Sequence, residues 1–329
     1  MSKKSVLFFL SALMLLHACG DGVNVENVPV TITVQRFDLD LRAAAFDTTQ
    51  IPALRRSYGM FVEYFSAGLI GIGTSGSPEY ARLLGDFARS SIIEEACRKV
   101  EAVFPDENAL NEALTWGFKH LLYYFPDMPA PRVYSYVSGF NEAVMLTDSV
   151  VGVGLDRFLG DTCALYDQLG FPKYQQRNMH PARIPVVCLQ SWLGSEYLPE
   201  GNGEGNFLQQ MMYEGKLLYV TRKCFPQAAD TLIFGFTKNQ LTWCGHNEAG
   251  MWEYLLENKL LYVDSQFTIQ KFTGDAPFTS AFTPEAPGRA VNWLAYRIVE
   301  KYMKRNKASF SELMKCDAQI ILKEARYNP

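Results

Sequence analysis

The sequence predicts an α+β fold that is predominantly helical and contains one small antiparallel sheet. Three strand-like stretches lie close together between residues 132 and 156, with turns at Gly139 and at Asp148-Ser149. After Gly160 the pattern is helical to the end of the chain. A short sheet followed by a helical bulk, without regular alternation of strands and helices, is typical of the α+β class.

The elements follow in order along the chain. Residues 30–37, VTITVQRF, alternate between apolar and polar side chains as a strand does. The sequence then predicts helices around 50–68, 77–103 and 107–124, and strands at 132–138, 142–147 and 150–156. Thr237 and Gln240 form a capping-box pattern at the start of a helix that runs through residues 242–262. Another helix follows the Pro- and Gly-containing stretch 284–289.

The N-terminus has the pattern of a bacterial lipoprotein signal. Two lysines precede the apolar run 6–16, which is too short for a transmembrane helix of ~20 residues. Residues 16–19, LHAC, resemble a lipobox, although His17 stands where a small residue is usual. Cys19 is therefore predicted to be diacylated and to become the mature N-terminus. The alternative is a plain secretory signal with a chance cysteine.

These patterns divide the chain into a signal peptide at residues 1–18, a lipidated tether at 19–30 and a single domain at 31–329. The membrane is a predicted partner through the lipid on Cys19, because two or more acyl chains anchor a protein stably. The net charge of −4 gives no reason to expect nucleic acid. The six later cysteines show no CxxC spacing, so disulfides and free buried thiols both remain open.

Glu214 stands out within the helical stretch 207–220, FLQQMMYEGKLLYV. At ~100° per residue, it lies beside the apolar face formed by Phe207, Met211 and Leu218, whereas Lys216 falls on the opposite side. Glu214 is therefore expected to be at least half buried, and a buried carboxylate needs a partner. It either pairs with a cation or a hydrogen-bond donor in the core, or it lies in a cleft.

The sequence gives little support for a hydrolytic enzyme. The chain has four histidines and no HExxH, the pattern that places two zinc ligands on one helix. GxSxG, Walker A and a GxGxxG after a strand are absent as well. We therefore expect no metal, no cofactor and no catalytic residue.

Seven blocks and the closing ARYNP together resemble the gliding motility lipoprotein GldB family of Bacteroidetes. The blocks are VQRFDLDL, FKHLLYYFP, GVGLDRFLG, FPKYQQRNM, QQMMYEGKLLYV, NQLTWCGHNEAGMWEYLLENKLLY and PGRAVNWLAYRIVEKYM. That family is itself similar to predicted zinc peptidases with an HExxH helix and a later Glu-Gly pair whose Glu is the third ligand. Glu214-Gly215 matches that pair, whereas residues 184–198, where the zinc helix would lie, contain no histidine.

The resemblance implies a zincin-like, metallopeptidase-like fold that has lost its metal ligands. It also implies an envelope lipoprotein of the gliding and associated secretion machinery, exposed to the periplasm, on either the outer or the cytoplasmic membrane. Its partners would be envelope or secretion-machinery proteins. A non-catalytic binding groove is expected, lined by Glu214, Asn247, Glu248, Arg289 and Trp293. Arg289 could clamp a carboxylate through two parallel hydrogen bonds.

Three alternatives compete with the hypothesis of a groove that binds a ligand. Arg289 and Glu248 could instead pair with each other inside the helical bundle, with Trp293 in the core. The protein could also be a residual metal-dependent hydrolase, or a structural spacer that holds a partner at the membrane.

Overall fold

The computed structural model describes residues 23–199 and 205–329, so the predicted signal peptide and Cys19 lie outside the described residues. Four strands are present: β1 (Val34–Gln35), β2 (Arg132–Tyr136), β3 (Val144–Thr147) and β4 (Val150–Gly154). The helices before and between the strands are α1 (Phe37–Phe46), α2 (Ile51–Tyr58), α3 (Met60–Glu63), α4 (Tyr80–Ala88), α5 (Ser91–Val103) and α6 (Asn108–Tyr124). A π-helical turn at Tyr64–Leu69 continues α3.

The second half of the chain is helical, as predicted. Its first five helices are α7 (Ala164–Gln168), α8 (Lys173–Gln176), α9 (Ile184–Glu196), α10 (Phe207–Cys224) and α11 (Asp230–Phe234). These are followed by α12 (Lys238–His246), α13 (Glu248–Glu257), α14 (Gln266–Thr273), α15 (Ala290–Asn306), α16 (Phe310–Lys315) and α17 (Ala318–Ala325). Among the described residues, no helix has both the length and the apolarity needed to cross a bilayer.

The sheet is mixed, and the predicted antiparallel arrangement is wrong. Its strand order is β1-β2-β4-β3, and only β3 and β4 pair antiparallel. β4 inserts between β2 and β3 and runs parallel to β2, with Val133 opposite Val151. The physical reason is visible in VVGVG, which has no polar alternation because β4 is buried along its whole length.

The two faces of the sheet pack against two different cores. Tyr134 and Tyr136 of β2 lie in an aromatic-rich core formed with α1 to α4. Val133 and Val151 lie in the larger core, which includes α6, α9, α10 and α15. This division follows from the strand geometry, because successive side chains point to opposite faces of a sheet.

The capping box at Thr237 is confirmed, but the long helix predicted after it is interrupted. The Thr237 hydroxyl accepts from Gln240 N at 3.2 Å, and the Gln240 side chain accepts from Thr237 N at 2.9 Å. The helix then ends at His246, and α13 begins at Glu248. The Trp243 carbonyl accepts from both the Asn247 backbone N–H at 3.0 Å and Asn247 Nδ2 at 2.8 Å, so a side-chain hydrogen bond reinforces the end of α12 at the break.

The helical position of Lys216 suggests a solvent-exposed side of α10, but the structure buries this residue. It is 4% exposed, and its Nζ donates to the carbonyls of Met314 and Cys316 at 3.3 and 2.6 Å. The helix pair α16 and α17 covers this side of α10, which helical periodicity alone could not reveal. Each of the six cysteines after Cys19 is a free thiol.

The helices α10 and α15 form the most extensive contact between two elements in the described part of the chain. Their closest approach is at Gly215, where an added Cβ would lie 2.7 Å from the backbone carbon of Ala295. Only glycine allows this approach, because a neighbouring backbone cannot move aside as a flexible side chain can. The glycine of the Glu214-Gly215 pair therefore has a packing role.

Substitution Gly215→Ala is expected to lower the free energy of unfolding by roughly 1–3 kcal/mol, the usual result of overpacking a tight core contact. Urea unfolding measures this change. Gly250→Ala is the matched control, because a Cβ at Gly250 in α13 meets no atom within 4 Å. Equal stability of the two variants would contradict the inferred close contact between α10 and α15.

Candidate functional site

A cavity of about 540 Å³ lies between α9, α10 and the first turn of α15. Its polar lining residues are Arg183, Gln190, Ser191, Ser195, Glu214, Arg289 and Asn292. Its apolar wall includes Leu146, Leu218, Ile233, Phe234, Phe236 and Trp293. A few convergent polar groups set in an apolar wall are typical of ligand-binding cavities of this size.

Glu214 lies in the cavity wall and is half-buried. Gln210, one turn earlier on α10, donates its Nε2 hydrogen to Glu214 Oε1 at 3.1 Å. Burial raises the pKa of this carboxyl, and Arg289 and the Gln210 hydrogen bond offset part of that effect. The expected half-burial of Glu214 is confirmed, and its side chain lines the cavity while accepting a hydrogen bond from Gln210.

Arg289 lies immediately before α15 and adopts a left-handed backbone conformation with φ of 61°. The preceding Gly288 is held against Ala276, whose carbonyl oxygen would be 1.9 Å from an added Cβ. Arg289 Nε lies 3.7 Å from Asp275 Oδ1. Left-handed backbone at a residue other than glycine costs of order 1–3 kcal/mol and is concentrated at functional sites.

Arg183, directly before α9, is a site residue that the sequence analysis missed. It is 7% exposed, and its Nη1 donates to the carbonyls of Leu232 and Ile233. Burial, together with the nearby Arg289, lowers the pKa of Arg183 to about 10. The available signal was a charged residue placed next to the strongly apolar stretch IPVVCL.

Arg183 and Arg289 also line a second cavity of about 200 Å³. Neither Arg183 nor Glu214 forms an ion pair with another residue of the described ranges. The cavity therefore contains an acid and two cations that do not neutralise one another through direct contact.

Trp293 lies one turn after Arg289 and forms part of the cavity wall. The Arg297 guanidinium, one turn further along α15, lies 5.8 Å from the centre of the Trp293 ring. Asn292 is 7% exposed, and its Oδ1 is buried without a hydrogen-bond partner. The first turn of α15 thus contributes a cation, an amide and an aromatic ring to the cavity.

Asn247 and Glu248, the other two residues predicted for the groove, lie away from this cavity. Asn247 closes α12 through its bond to Trp243. Glu248 accepts hydrogen bonds from Arg297 Nε at 3.2 Å and from the Tyr327 hydroxyl at 2.5 Å. The predicted alternative of an Arg289–Glu248 pair is wrong, because Arg289 faces Asp275 and Glu248 binds Arg297.

The lining of the cavity does not fit a catalytic metal. None of its residues is a histidine or a cysteine, and Glu214 is its one carboxylate. Across residues 23–199 and 205–329, no three His, Cys, Asp or Glu side chains are grouped so as to hold a metal ion. The donors present are suited to hydrogen bonding and to neutralising a negatively charged ligand.

Comparison with known proteins identifies a family that the chain matches. Residues 19–329 match a family model described as "Gliding motility protein GldB". No curated protein matches the chain, and no solved structure matches it.

Substitution Glu214→Gln is expected to raise stability at pH 8 and to lose this advantage as the pH falls. The raised pKa means that folding favours the protonated carboxyl, so its contribution to stability is lost as the pH rises through the folded-state pKa. Glutamine keeps an acceptor for Gln210 without becoming charged. Urea unfolding between pH 4 and 8, with exposed Glu253→Gln as control, tests this; a difference independent of pH would contradict it.

Proposed function

The chain belongs to the gliding motility protein GldB family, and from this premise we propose that it is a lipid-anchored binding component of the gliding and associated secretion machinery. The cavity between α9 and α10 holds a segment of an envelope polypeptide and does not catalyse a reaction. The protein is thus a peptidase-like scaffold whose hydrolytic site has been lost.

The observation that carries this proposal is the spacing of the residues that α9 presents to the cavity. Gln190, Ser191 and Gly194 all line it, and they stand at positions i, i+1 and i+4. In an HExxH helix these positions hold the first histidine, the general-base Glu and the second histidine. Glu214 on the neighbouring α10 lines the same cavity, as the third zinc ligand of such a peptidase would.

The residue types at these positions argue against hydrolysis. Zinc sites use imidazole, thiolate or carboxylate ligands, whereas Gln190 is a neutral amide and Gly194 has no side chain. Ser191 cannot replace the Glu that activates water in such an enzyme, because a hydroxyl is a far weaker base. A retained cavity without these groups is what a binding protein derived from a peptidase would have.

A polypeptide suits the cavity better than a small polar metabolite does. One wall is formed by Phe234, Phe236 and Trp293, which can accept an apolar side chain. Gln190 and Ser191 also line the cavity, and their side chains can exchange hydrogen bonds with backbone amides. Peptidase-like grooves make both kinds of contact with an extended chain.

The anchor holds the folded body close to the bilayer. Val25, within the predicted tether, is 1% exposed, and Lys119 Nζ donates to the Glu26 carbonyl at 3.1 Å. Six residue steps separate lipidated Cys19 from Val25, so the chain between them can span no more than about 22 Å. The cavity would accordingly meet its polypeptide near a membrane surface of the cell envelope.

Filling the cavity is expected to weaken partner capture without unfolding the protein. Ser191→Phe places a ring in the cavity, and a photo-crosslinking amino acid at Ser195 reports capture in native membranes. Crosslinking should fall roughly tenfold, the loss equivalent to 1.4 kcal/mol. Ser311→Phe on α16 is the control. Undiminished crosslinking in folded Ser191→Phe protein would favour a spacer that holds its partner through another surface.

The metal content of purified protein separates binding from residual hydrolysis. We expect far less than one zinc ion per chain, with no change in Glu214→Gln. Mass spectrometry of the metal measures this directly. A metal ion present in near-stoichiometric amount and lost in Glu214→Gln would overturn the non-catalytic proposal.

A further inference from the structure

Positive charge is placed at the starts of two long helices that border the cavity. Arg183 lies directly before α9, which has 13 residues, and Arg289 lies directly before α15, which has 17. Neither helix has an acidic residue in its first turn or a side-chain cap on its backbone N–H groups. A cation at a helix N-terminus is unfavourable by roughly 0.3–1 kcal/mol, because that end of the helix already carries partial positive charge.

The same cavity wall contains buried polar atoms without partners. Arg183 Nε and Asn292 Oδ1 are both buried and make no hydrogen bond, and each residue is 7% exposed. A buried polar group left unsatisfied costs about 1–3 kcal/mol. Both residues line the cavity, so its wall contains one unpartnered donor and one unpartnered acceptor.

The direct contacts of the two arginines leave their charges available. Arg183 uses Nη1 on two backbone carbonyls, which satisfies hydrogen bonds without neutralising its charge. Arg289 reaches Asp275 only at 3.7 Å, and that carboxylate side chain is 48% exposed. A solvated ion pair of this kind contributes little to stability. An anion in the cavity would meet both guanidinium groups and two helix N-termini, which are favourable sites for negative charge.

We propose that Arg183 and Arg289 bind the C-terminal carboxylate of a polypeptide, with Asn292 Oδ1 accepting a backbone N–H of the same segment. This inference rests on the polypeptide-binding function proposed above and specifies which part of the polypeptide is recognised. The last side chain of the ligand would pack against Phe234, Phe236 and Trp293. Arginine suits this role because its planar donors match a carboxylate through two parallel hydrogen bonds.

The charge balance favours a carboxylate over a phosphate. Two arginines face one acid, Glu214, in this cavity, so a ligand group with a single negative charge leaves the site neutral while Glu214 is ionised. A doubly charged phosphate reaches the same neutrality only if Glu214 also takes up a proton. The terminal side chain of a peptide would also pack against the apolar wall of the cavity.

The test compares peptides that differ only in their terminal group. A pool of fluorescein-labelled pentapeptides, varied at the last two positions, is prepared with free carboxylates and again with C-terminal amides. Fluorescence anisotropy with the full-length protein in detergent should show binding of the free acids at least roughly tenfold tighter than of the amides. Arg183→Met and Arg289→Met should abolish this preference, whereas Arg305→Met, at the other end of α15, should not.

Folding and ligand identity are controlled separately. Arg183 donates to two backbone carbonyls, so its loss could unfold the protein. Arg289→Met loses the weak Asp275 contact and the favourable charge beside Glu214, and this variant decides the outcome if Arg183→Met unfolds. Equal affinity for acids and amides would overturn the carboxylate site while leaving the polypeptide groove intact. Stronger displacement of the free acids by inorganic phosphate than by acetate would overturn the assignment of a monoanion. If neither peptide pool binds, the carboxylate site is also overturned. Crosslinking at Ser195 then tests the broader polypeptide-binding function on its own.

Discussion

The close contact between α10 and α15 at Gly215 determines the geometry of the site. Because Gly215 has no side chain, the backbone of α15 at Ala295 can lie directly against α10. This contact places Glu214, the preceding residue, in the same cavity as Arg289 and Trp293. A larger residue at Gly215 would separate the helices and widen the distance between the acid and the arginine. Packing and site chemistry are thus coupled through two adjacent residues.

Three consecutive residues of α10 face three different environments. Glu214 faces the cavity, Gly215 contacts α15, and Lys216 donates to two carbonyls at the end of α16. Lys216 follows the usual electrostatic preference, since a cation is stabilised at a helix C-terminus. Arg183 and Arg289 oppose that preference, because they lie at helix N-termini. This contrast within one protein supports a ligand-binding role for the two arginines.

Family membership and site geometry support the same proposal from different directions. The family match connects the chain to gliding motility proteins over nearly its full length. The cavity is lined by Gln190, Ser191 and Gly194 of α9, which offer an amide, a hydroxyl and no side chain. These groups fit the proposed binding function, which needs no metal ligand at these positions. This function also explains why buried polar atoms remain unpaired at this wall.

The sequence alone determined the helical content, the position of the sheet, the capping box at Thr237 and the partly buried acid Glu214. These features depend on local periodicity and on short-range hydrogen bonds, which residues close together in the sequence determine. Only the tertiary structure decided that β4 pairs in parallel with β2, that Lys216 is covered, and that Arg183 joins Glu214 in one cavity. Those outcomes depend on contacts between segments far apart in the chain, such as Lys216 with Cys316, and no local sequence pattern predicts such contacts.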